Sequence, residues 1–149
     1  MVSAIIFTFL FSGCIKNTAC QPKTVVSEDA AMQSFATANN ITATRHTTGM
    51  YYQIVNPGSG ATPNINSILN VRYTGPLTDG TVFDSQTVNP VSFQINQVIL
   101  GWQVGLPLIQ KGGVIRLIIP SSMGYGCQAN GPIPANSILY FEVELVDVQ

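Results

Sequence analysis

Residues 137–148 alternate between apolar and polar side chains, and this pattern constrains the fold more than any other in the sequence. The apolar positions are Leu139, Phe141, Val143 and Leu145, and the positions between them include Tyr140, Glu142 and Glu144. A period of two places the first set on one face of a β-strand and the second set on the opposite face. A strand of this kind needs neighbouring strands and an apolar layer over its inner face. The pattern therefore predicts a sheet with one buried face.

Short runs of β-forming residues predict further strands, most of them ended by Gly or Pro. These runs cover residues 51–55, 68–73, 90–95 and 114–119. We expect Phe93 to point inward from the third run and Arg116 to lie on the polar side of the fourth. Several antiparallel strands with one short helix indicate an α+β domain whose helix packs on one face of the sheet.

Two local signals mark the turn and the helix of this domain. Asp79 and Gly80 form the dipeptide typical of a β-hairpin turn, after which residues 82–83 resume the sheet and Asp84 and Ser85 leave it. The one helix of the domain is predicted to begin near Trp102. It is expected to be short, because residues 105 and 107 are Gly and Pro, which both disfavour helix extension.

The N-terminus resembles an export signal. Residues 4–11 are apolar and too few to span a bilayer, and Ser12, Gly13 and Cys14 follow. Small residues before a cysteine are typical of a bacterial lipobox, so we expect Cys14 to be lipidated and the protein to be exported and anchored to the cell envelope. In a Gram-negative cell the anchor would be in the outer membrane, on its periplasmic side. No Lys or Arg precedes the apolar run and Phe11 replaces the usual aliphatic residue, so an ordinary signal peptide or a chance apolar start remain alternatives.

Residues 14–26 are mostly polar and indicate a tether. A helix is then predicted from Ser27, as N-cap, with Glu28 and Asp29 in its first turn. Met32 and Phe35 lie on its apolar side and are expected to anchor the helix to the following domain. The predicted organisation is a signal peptide over residues 1–13, a tether over 14–26, an N-terminal helix and connector over 27–48, and the main domain over 49–149.

Composition excludes several functions. The formal net charge is −1, only 9% of residues are charged, and the sequence has no run of basic residues that could bind nucleic acid. The single histidine, His46, and three scattered cysteines do not form a metal-binding pattern, and no nucleotide-binding motif occurs. We expect no metal, no cofactor and no nucleic-acid partner. No separate dimerisation insert is present, which favours a monomer.

The only tryptophan, Trp102, follows an apolar run and a glycine. A buried tryptophan is most often a core residue, but its large flat face also suits the floor of an apolar pocket. Trp102 alone does not decide between these interpretations.

Seven sequence blocks follow one another in order over residues 50–148. They are Val71-Arg72-Tyr73-Thr74-Gly75, Asp79-Gly80, Val82-Phe83-Asp84-Ser85, Val98-Ile99-Leu100-Gly101-Trp102, Gly124-Tyr125-Gly126, Ile133-Pro134-Ala135-Asn136 and Phe141-Glu142-Val143-Glu144-Leu145. In this order they resemble the FKBP-type peptidyl-prolyl cis–trans isomerases. The resemblance implies a half-barrel of five or six antiparallel strands wrapped around one short helix. It also implies isomerisation of X-Pro bonds in proline-containing polypeptides, without a cofactor, in support of the folding of exported proteins. A module that binds proline-containing segments as a chaperone or adaptor, with negligible turnover, is the alternative.

The resemblance also assigns roles to individual residues. Trp102 corresponds to the pocket floor, Asp84 to a carboxylate at the pocket edge, and Tyr125 to a hydroxyl that binds the substrate backbone. Ile133 corresponds to a loop residue whose backbone contacts the ligand. The apolar walls correspond to Tyr73, Phe83, Val98, Ile99 and Phe141.

The chain departs from the family pattern around the expected pocket. The segment between Phe83 and Pro90 is shorter and lacks a basic residue often found there, and the loop from Tyr125 to Ile133 is also slightly shorter. Val91 replaces a common aromatic wall residue, which predicts an opening on that side. We expect these departures to affect inhibitor affinity and substrate preference more than activity.

If Cys14 carries the lipid, Cys20 and Cys127 are the two cysteines left to pair. An even number of cysteines in an oxidising compartment favours a disulfide between them. Such a bond would connect the N-terminal tether to the loop that carries Tyr125. Two free thiols, one buried and one in the mobile tether, are the alternative.

Overall fold

The computed structural model describes residues 19–149. The expected signal peptide and Cys14 lie outside these residues. No helix in residues 19–149 is both long enough and apolar enough to cross a membrane.

Six antiparallel strands form one sheet, in the spatial order β1-β2-β5-β6-β3-β4. Their bounds are β1 Thr44–Arg45, β2 Tyr51–Asn56, β3 Ile68–Pro76, β4 Val82–Gln94, β5 Val114–Ile119 and β6 Leu139–Val148. The strand with the clear alternation, β6, lies between β5 and β3, and its residues Leu139, Phe141, Val143 and Leu145 are all buried. The α+β class and the antiparallel sheet predicted from the sequence are therefore confirmed.

The short helix α2, Leu100–Gly105, packs against β5 on one face of the sheet, and a 3-10 turn, Leu106–Leu108, continues it. Two glycines permit this contact. A methyl group on Gly101 would lie 2.5 Å from Ile119, and one on Gly105 would lie 2.6 Å from Leu117. Gly105 thus brings the helix close to the sheet, and Pro107 falls in the 3-10 turn, where its missing N–H matters least.

Strand β4 corrects the sequence-based prediction of two separate strands. It runs without interruption over Val82–Gln94, so Asp84 and Ser85 stay in the sheet, opposite Gly75 and Thr74. The pairing changes from Val71 with Val91 to Tyr73 with Gln86, which leaves residues 87–90 as a bulge without a strand register on β3. Pro90, which suggested the start of a new strand, lies in this bulge. A proline is tolerated there because no backbone N–H is needed for pairing with β3.

Helix α1, Val25–Ala38, begins earlier than predicted. Thr24, not Ser27, is the N-cap, and the side chains of Thr24 and Ser27 each accept the other's backbone N–H in a capping box. Helix and sheet are also joined by Asp29, which accepts hydrogen bonds from Arg45 at 2.9 Å and from the Tyr51 hydroxyl at 3.1 Å. These bonds, that from Arg45 above all, lower the pKa of Asp29.

The apolar side of α1 covers the sheet face opposite α2. Met32 is fully buried there, against Ile118 of β5 and Tyr51 of β2. Phe35 packs on Tyr140, with ring centroids 5.3 Å apart. Met32 and Phe35 therefore anchor the helix as predicted.

Candidate active site

Five aromatic rings meet on the α2 side of the sheet. Trp102 lies at their centre, with ring centroids 5.2 Å from Tyr73, 5.2 Å from Phe141 and 5.9 Å from Phe93. Each of these pairs is close to perpendicular, the edge-to-face arrangement that aromatic rings prefer. Phe83 completes the group through Phe141, at 5.4 Å. The rings therefore brace one another.

The rings converge because of strand alternation and one glycine. Strand β3 contributes Tyr73, β4 contributes Phe83 and Phe93, and β6 contributes Phe141. These three strands are neighbours in the sheet. A methyl group on Gly75 would lie 2.7 Å from the Phe141 ring and 2.9 Å from the Phe83 ring. Gly75 therefore lets two rings lie directly over β3, a role that the sequence alone did not indicate.

The rings enclose an open cleft of about 390 Å³. Its lining comprises Tyr73, Phe83, Asp84, Phe93, Gln97, Val98, Ile99, Trp102, Tyr125, Asn130, Gly131, Pro132, Ile133 and Phe141. All nine residues that the sequence resemblance assigned to the pocket are in this lining. Mostly apolar walls with a few polar groups at the mouth are typical of a small-ligand or peptide site.

Phe93 is a lining residue of the cleft close to Val91, where the sequence predicted an opening. Val91 packs against the core and does not line the cleft, whereas Phe93, two residues further along β4, faces Trp102. Val91 therefore contributes no wall to the cleft, and the aromatic ring that this part of β4 supplies is Phe93, two positions later on the same strand face. The inward orientation of Phe93 was predicted from the sequence, but its contribution to the cleft was not.

Trp102 is only 4% exposed, and its indole N–H has no acceptor among the described residues. A buried donor without a partner costs about 1–3 kcal/mol. Stability alone would therefore favour a purely apolar side chain here, and the tryptophan is better explained by the surface that it presents to the cleft.

Asp84 lies exposed at the mouth of the cleft and is held by two donors. Its Oδ2 accepts a 2.6 Å hydrogen bond from the Tyr73 hydroxyl, and its Oδ1 accepts the backbone N–H of Ser85 at 2.8 Å. Burial, and then the bond to Asp84, raise the pKa of Tyr73 well above that of a free tyrosine. Tyr73 thus stays a hydrogen-bond donor and orients the carboxylate, in addition to forming a wall.

Tyr125 also lines the cleft and is 40% exposed. Within residues 19–149 its hydroxyl has no hydrogen-bond partner, so it is free to bind a ligand. The two flanking glycines differ in their function. Gly126 has a φ of +65°, which favours glycine, whereas Gly124 is needed because a methyl group there would lie 2.8 Å from Leu139.

Ile133 is buried at the end of the same loop. Its backbone N–H donates to Asn130 at 3.0 Å and its carbonyl accepts from Asn130 at 2.9 Å. The resemblance suggested that the backbone of Ile133 contacts the ligand, but its N–H is already used within the loop. Its side chain lines the cleft, and its carbonyl oxygen retains a second lone pair.

The described part of the chain contains no group of three or more His, Cys, Asp or Glu residues placed to hold a metal ion.

Comparison with known proteins agrees with this geometry. The family model of FKBP-type peptidyl-prolyl cis-trans isomerases matches residues 60–146. The isomerase FkpA of Aeromonas hydrophila is 44% identical over 103 residues, which cover 68% of this chain and 38% of FkpA. A probable FKBP-type isomerase of Haemophilus influenzae is 42% identical over 123 residues, 80% of this chain and 50% of that protein. The chain thus spans half or less of the length of these curated relatives.

Solved structures extend the match. The crystal structure of FkpA from Escherichia coli superposes with a TM-score of 0.70 at 36% identity, covering 84% of this chain and 62% of that one. A peptidyl-prolyl cis-trans isomerase from Pseudomonas syringae has the same TM-score at 31% identity, covering 87% and 98%. The family match includes β3 to β5, α2 and most of β6, the elements that build the cleft. The chain therefore belongs to the FKBP-type peptidyl-prolyl cis-trans isomerase family.

Proposed function

We propose that this chain catalyses the cis–trans isomerisation of X-Pro bonds in polypeptides and thereby assists the folding of exported proteins. The observation that carries the proposal is the cleft itself. Rigid aromatic rings leave it unfilled, and the oriented carboxylate of Asp84 and the free hydroxyl of Tyr125 lie at its mouth.

The reaction explains why such a cleft needs no nucleophile and no metal. The barrier to rotation about a peptide C–N bond is about 18–20 kcal/mol, because the planar amide is stabilised by resonance. In the twisted state this resonance is lost, the nitrogen is pyramidal and the carbonyl is less polar. An apolar, water-poor site therefore binds the twisted amide better than the planar one, and this differential binding accelerates rotation.

The cleft residues divide between these tasks. The proline ring would rest on Trp102, with the aromatic and aliphatic walls excluding water from the amide. Tyr125 would donate a hydrogen bond to the substrate backbone. Asp84, held by Tyr73, would place a fixed negative charge beside the rotating carbonyl. These groups are preorganised, so little reorganisation is required when the amide twists.

A protease-coupled assay tests the proposal. The full chain is added to a peptide that contains Ala-Leu-Pro-Phe, and the rate of conversion of the cis fraction is measured. We expect acceleration proportional to enzyme concentration, equal in the control variant Val55→Thr, whose residue is exposed on β2. Emission from Trp102, the only tryptophan, measures binding separately. Binding without acceleration would overturn the enzyme assignment in favour of the module that binds proline-containing segments.

We also propose that the protein acts in the cell envelope through a lipid on Cys14. The support is the apolar run and small residues before this cysteine, together with a relative described as outer membrane protein MIP of Legionella longbeachae, 39% identical over 104 residues. Stable anchoring requires more than one acyl chain. Cys14→Ser should move the protein from the membrane fraction to the soluble fraction, and an unchanged distribution would contradict the proposal. Light scattering of the soluble variant tests the expected monomer.

The two remaining cysteines are proposed to form a disulfide. Their Cα atoms lie 5.5 Å apart, within the usual range for a bridge, although the residues are 107 positions apart in the sequence. Closing a loop of this length stabilises a fold by up to about 4.7 kcal/mol in the chain-entropy model. Peptide mapping without reduction should recover Cys20 linked to Cys127. Alkylation of both before reduction would contradict the bond.

A further inference from the structure

Glu28 is the feature of the described chain that the proposed reaction leaves unexplained. It lies in α1 and is only 2% exposed. Its Oε2 accepts the backbone N–H of Ser121 at 2.8 Å and the Ser121 hydroxyl at 2.9 Å, across 93 positions of sequence. Its Oε1 has no partner within residues 19–149. A buried carboxylate is costly, so this contact must provide something that an apolar residue could not.

Ser121 connects this carboxylate to the rim of the cleft. Its carbonyl oxygen accepts two backbone hydrogen bonds, from Gly124 at 3.0 Å and from Gly126 at 2.8 Å. These two glycines flank Tyr125. One serine thus binds Glu28 through its N–H and hydroxyl, and binds both sides of the Tyr125 turn through its carbonyl.

Asn136 holds the same turn from its other side. Its backbone N–H donates to the carbonyl of Gly126 at 2.9 Å. Its side chain pairs with the N-terminal segment, accepting the N–H of Lys23 at 3.2 Å and donating to the carbonyl of Gln21 at 3.0 Å. The backbone of Asn136 has a φ of +57°, which asparagine tolerates better than most residues. Both the N–H and the carbonyl of Gly126 are thereby fixed by groups that the N-terminal segment holds.

We propose that Glu28 and Asn136 are positioning residues for the isomerase reaction. Through them the N-terminal strap, defined as residues 20–28, holds Tyr125 over the cleft in the geometry that binds substrate. This inference rests on the proposed function, because it assigns Tyr125 to substrate binding. The hydrogen bonds of the strap to the domain within residues 19–149 reach Ser121 and Asn136 and not the residues that line the cleft, so its effect passes through the Tyr125 turn.

The test compares Glu28→Leu with Glu28→Gln in the full chain. Glutamine keeps an oxygen that can accept the Ser121 donors, whereas leucine keeps the volume and removes the acceptor. We expect Glu28→Leu to raise KM about fivefold with kcat changed less than about twofold, and Glu28→Gln to restore most of the loss. Asn136→Gly, which tolerates the positive φ but deletes the side chain, should raise KM by a smaller factor.

Amide hydrogen exchange provides a readout that does not depend on activity. Glu28→Leu should speed exchange at Gly124 and Gly126 about tenfold or more, while β6 amides change little, because only the local opening is affected. Met32→Ala is the matched control: it weakens the packing of the same helix but leaves the Ser121 contact intact. It should speed exchange evenly through the chain without a selective change in KM.

The outcomes separate the two proposals. An inactive wild type would overturn the proposed function, while the exchange measurements would still report on the strap. If the wild type is active, two results for Glu28→Leu would overturn the positioning role. One is a KM equal to that of the wild type, and the other is a uniform increase in amide exchange like that expected for Met32→Ala. If Glu28→Leu does not fold, Ser121→Ala and Asn136→Gly decide the same question, and no rise in KM in either would overturn it.

Discussion

The sheet has two apolar faces, and they are completed in different ways. On the pocket side, a cluster around Trp102 includes Leu117 and Ile119 of β5. On the helix side, a smaller cluster around Met32 includes Ile118 from the same strand. Alternation along β5 thus supplies both clusters with side chains of the same chemical kind.

The two clusters differ in how their side chains are arranged. On the helix side, α1 brings Met32, a flexible side chain that adapts to irregular gaps, and it is fully buried. On the pocket side, perpendicular aromatic rings support one another and leave a cleft of about 390 Å³ between them. Both sides contain aromatic rings and buried methionines, but on the pocket side five rings contact one another around an open cleft. The arrangement of the rings, and not the hydrophobicity of the side chains, therefore distinguishes the cleft from the ordinary packing on the other face.

Beyond α1, the helix-side face is partly exposed and carries charged side chains. Arg116 pairs with Glu142 at 2.7 Å, and Arg72 pairs with Glu144 at 3.1 Å. These pairs are partly exposed, and pairs of this kind contribute about 0–1 kcal/mol each. They explain the polar half of the β6 alternation but do not determine the stability of the fold.

The largest effect is expected at the centre of the pocket side. Trp102→Ala should lower the free energy of unfolding by about 3–5 kcal/mol, because it removes a large buried ring that several others brace. It should also lower kcat/KM at least about tenfold by removing the floor of the cleft. Urea denaturation followed by circular dichroism and the protease-coupled assay measure the two effects. Full kcat/KM in a destabilised variant would show that this ring is only a core residue.

The corresponding change on the helix side should affect stability alone. Met32→Ala is expected to lower the free energy of unfolding by about 2–5 kcal/mol, because the cavity it creates is fully buried. At a temperature where the variant is folded, kcat/KM should remain within about twofold of the wild type. A selective loss of kcat/KM would mean that the packing of Met32, and not only the Glu28 contact, acts on the cleft.

Changes at the rim should show the opposite behaviour, with activity affected and the fold retained. Asp84→Leu should lower kcat/KM about tenfold, and Tyr125→Phe about two- to tenfold, the range expected for one lost hydrogen bond. Both residues are exposed, so cooperative unfolding should persist with a free energy within about 1.5 kcal/mol of the wild type. Cooperative loss of the fold in either variant would assign that residue a structural role.

The smallest effect concerns the ionisation of two tyrosines, buried Tyr73 on the pocket side and half-buried Tyr140 on the helix side. Burial raises the pKa of both Tyr73 and Tyr140, but the carboxylate of Asp84 raises that of Tyr73 further, whereas Arg116 lowers that of Tyr140. Tyr73 should therefore ionise after Tyr140. Both groups favour the neutral form when folded, so their contribution to stability is complete below the ordinary tyrosine pKa and declines as pH rises above it.

Tyrosinate absorbance measures this order. The difference between the wild type and Tyr73→Phe isolates one of the five tyrosines, and Tyr140→Phe isolates the other. Ionisation of Tyr73 before Tyr140 would contradict the electrostatic difference between the two sides.

Much of the fold was predictable from local patterns. Alternation identified β6 and its buried face, and the Asp79-Gly80 pair identified the turn, where Gly80 has a φ of +90°. The ordered blocks of the family resemblance identified nine residues that the structure gathers around one cleft. The strand and the turn could be predicted because each depends on residues that are neighbours in the chain. The cleft-lining residues could be predicted because they belong to whole motifs.

Other features required the tertiary structure. A bulge keeps β4 continuous through Pro90, and the pairing with β3 that creates it is not visible in either strand alone. Glu28 has the sequence signature of a first-turn helix acid, yet it binds Ser121, 93 positions away. By itself the sequence determined which residues face inward and where turns occur, because backbone geometry and periodicity are local. Only the tertiary structure decided which inward residues leave a cleft and which contacts hold its rim, because those depend on strand register and on segments distant in the chain.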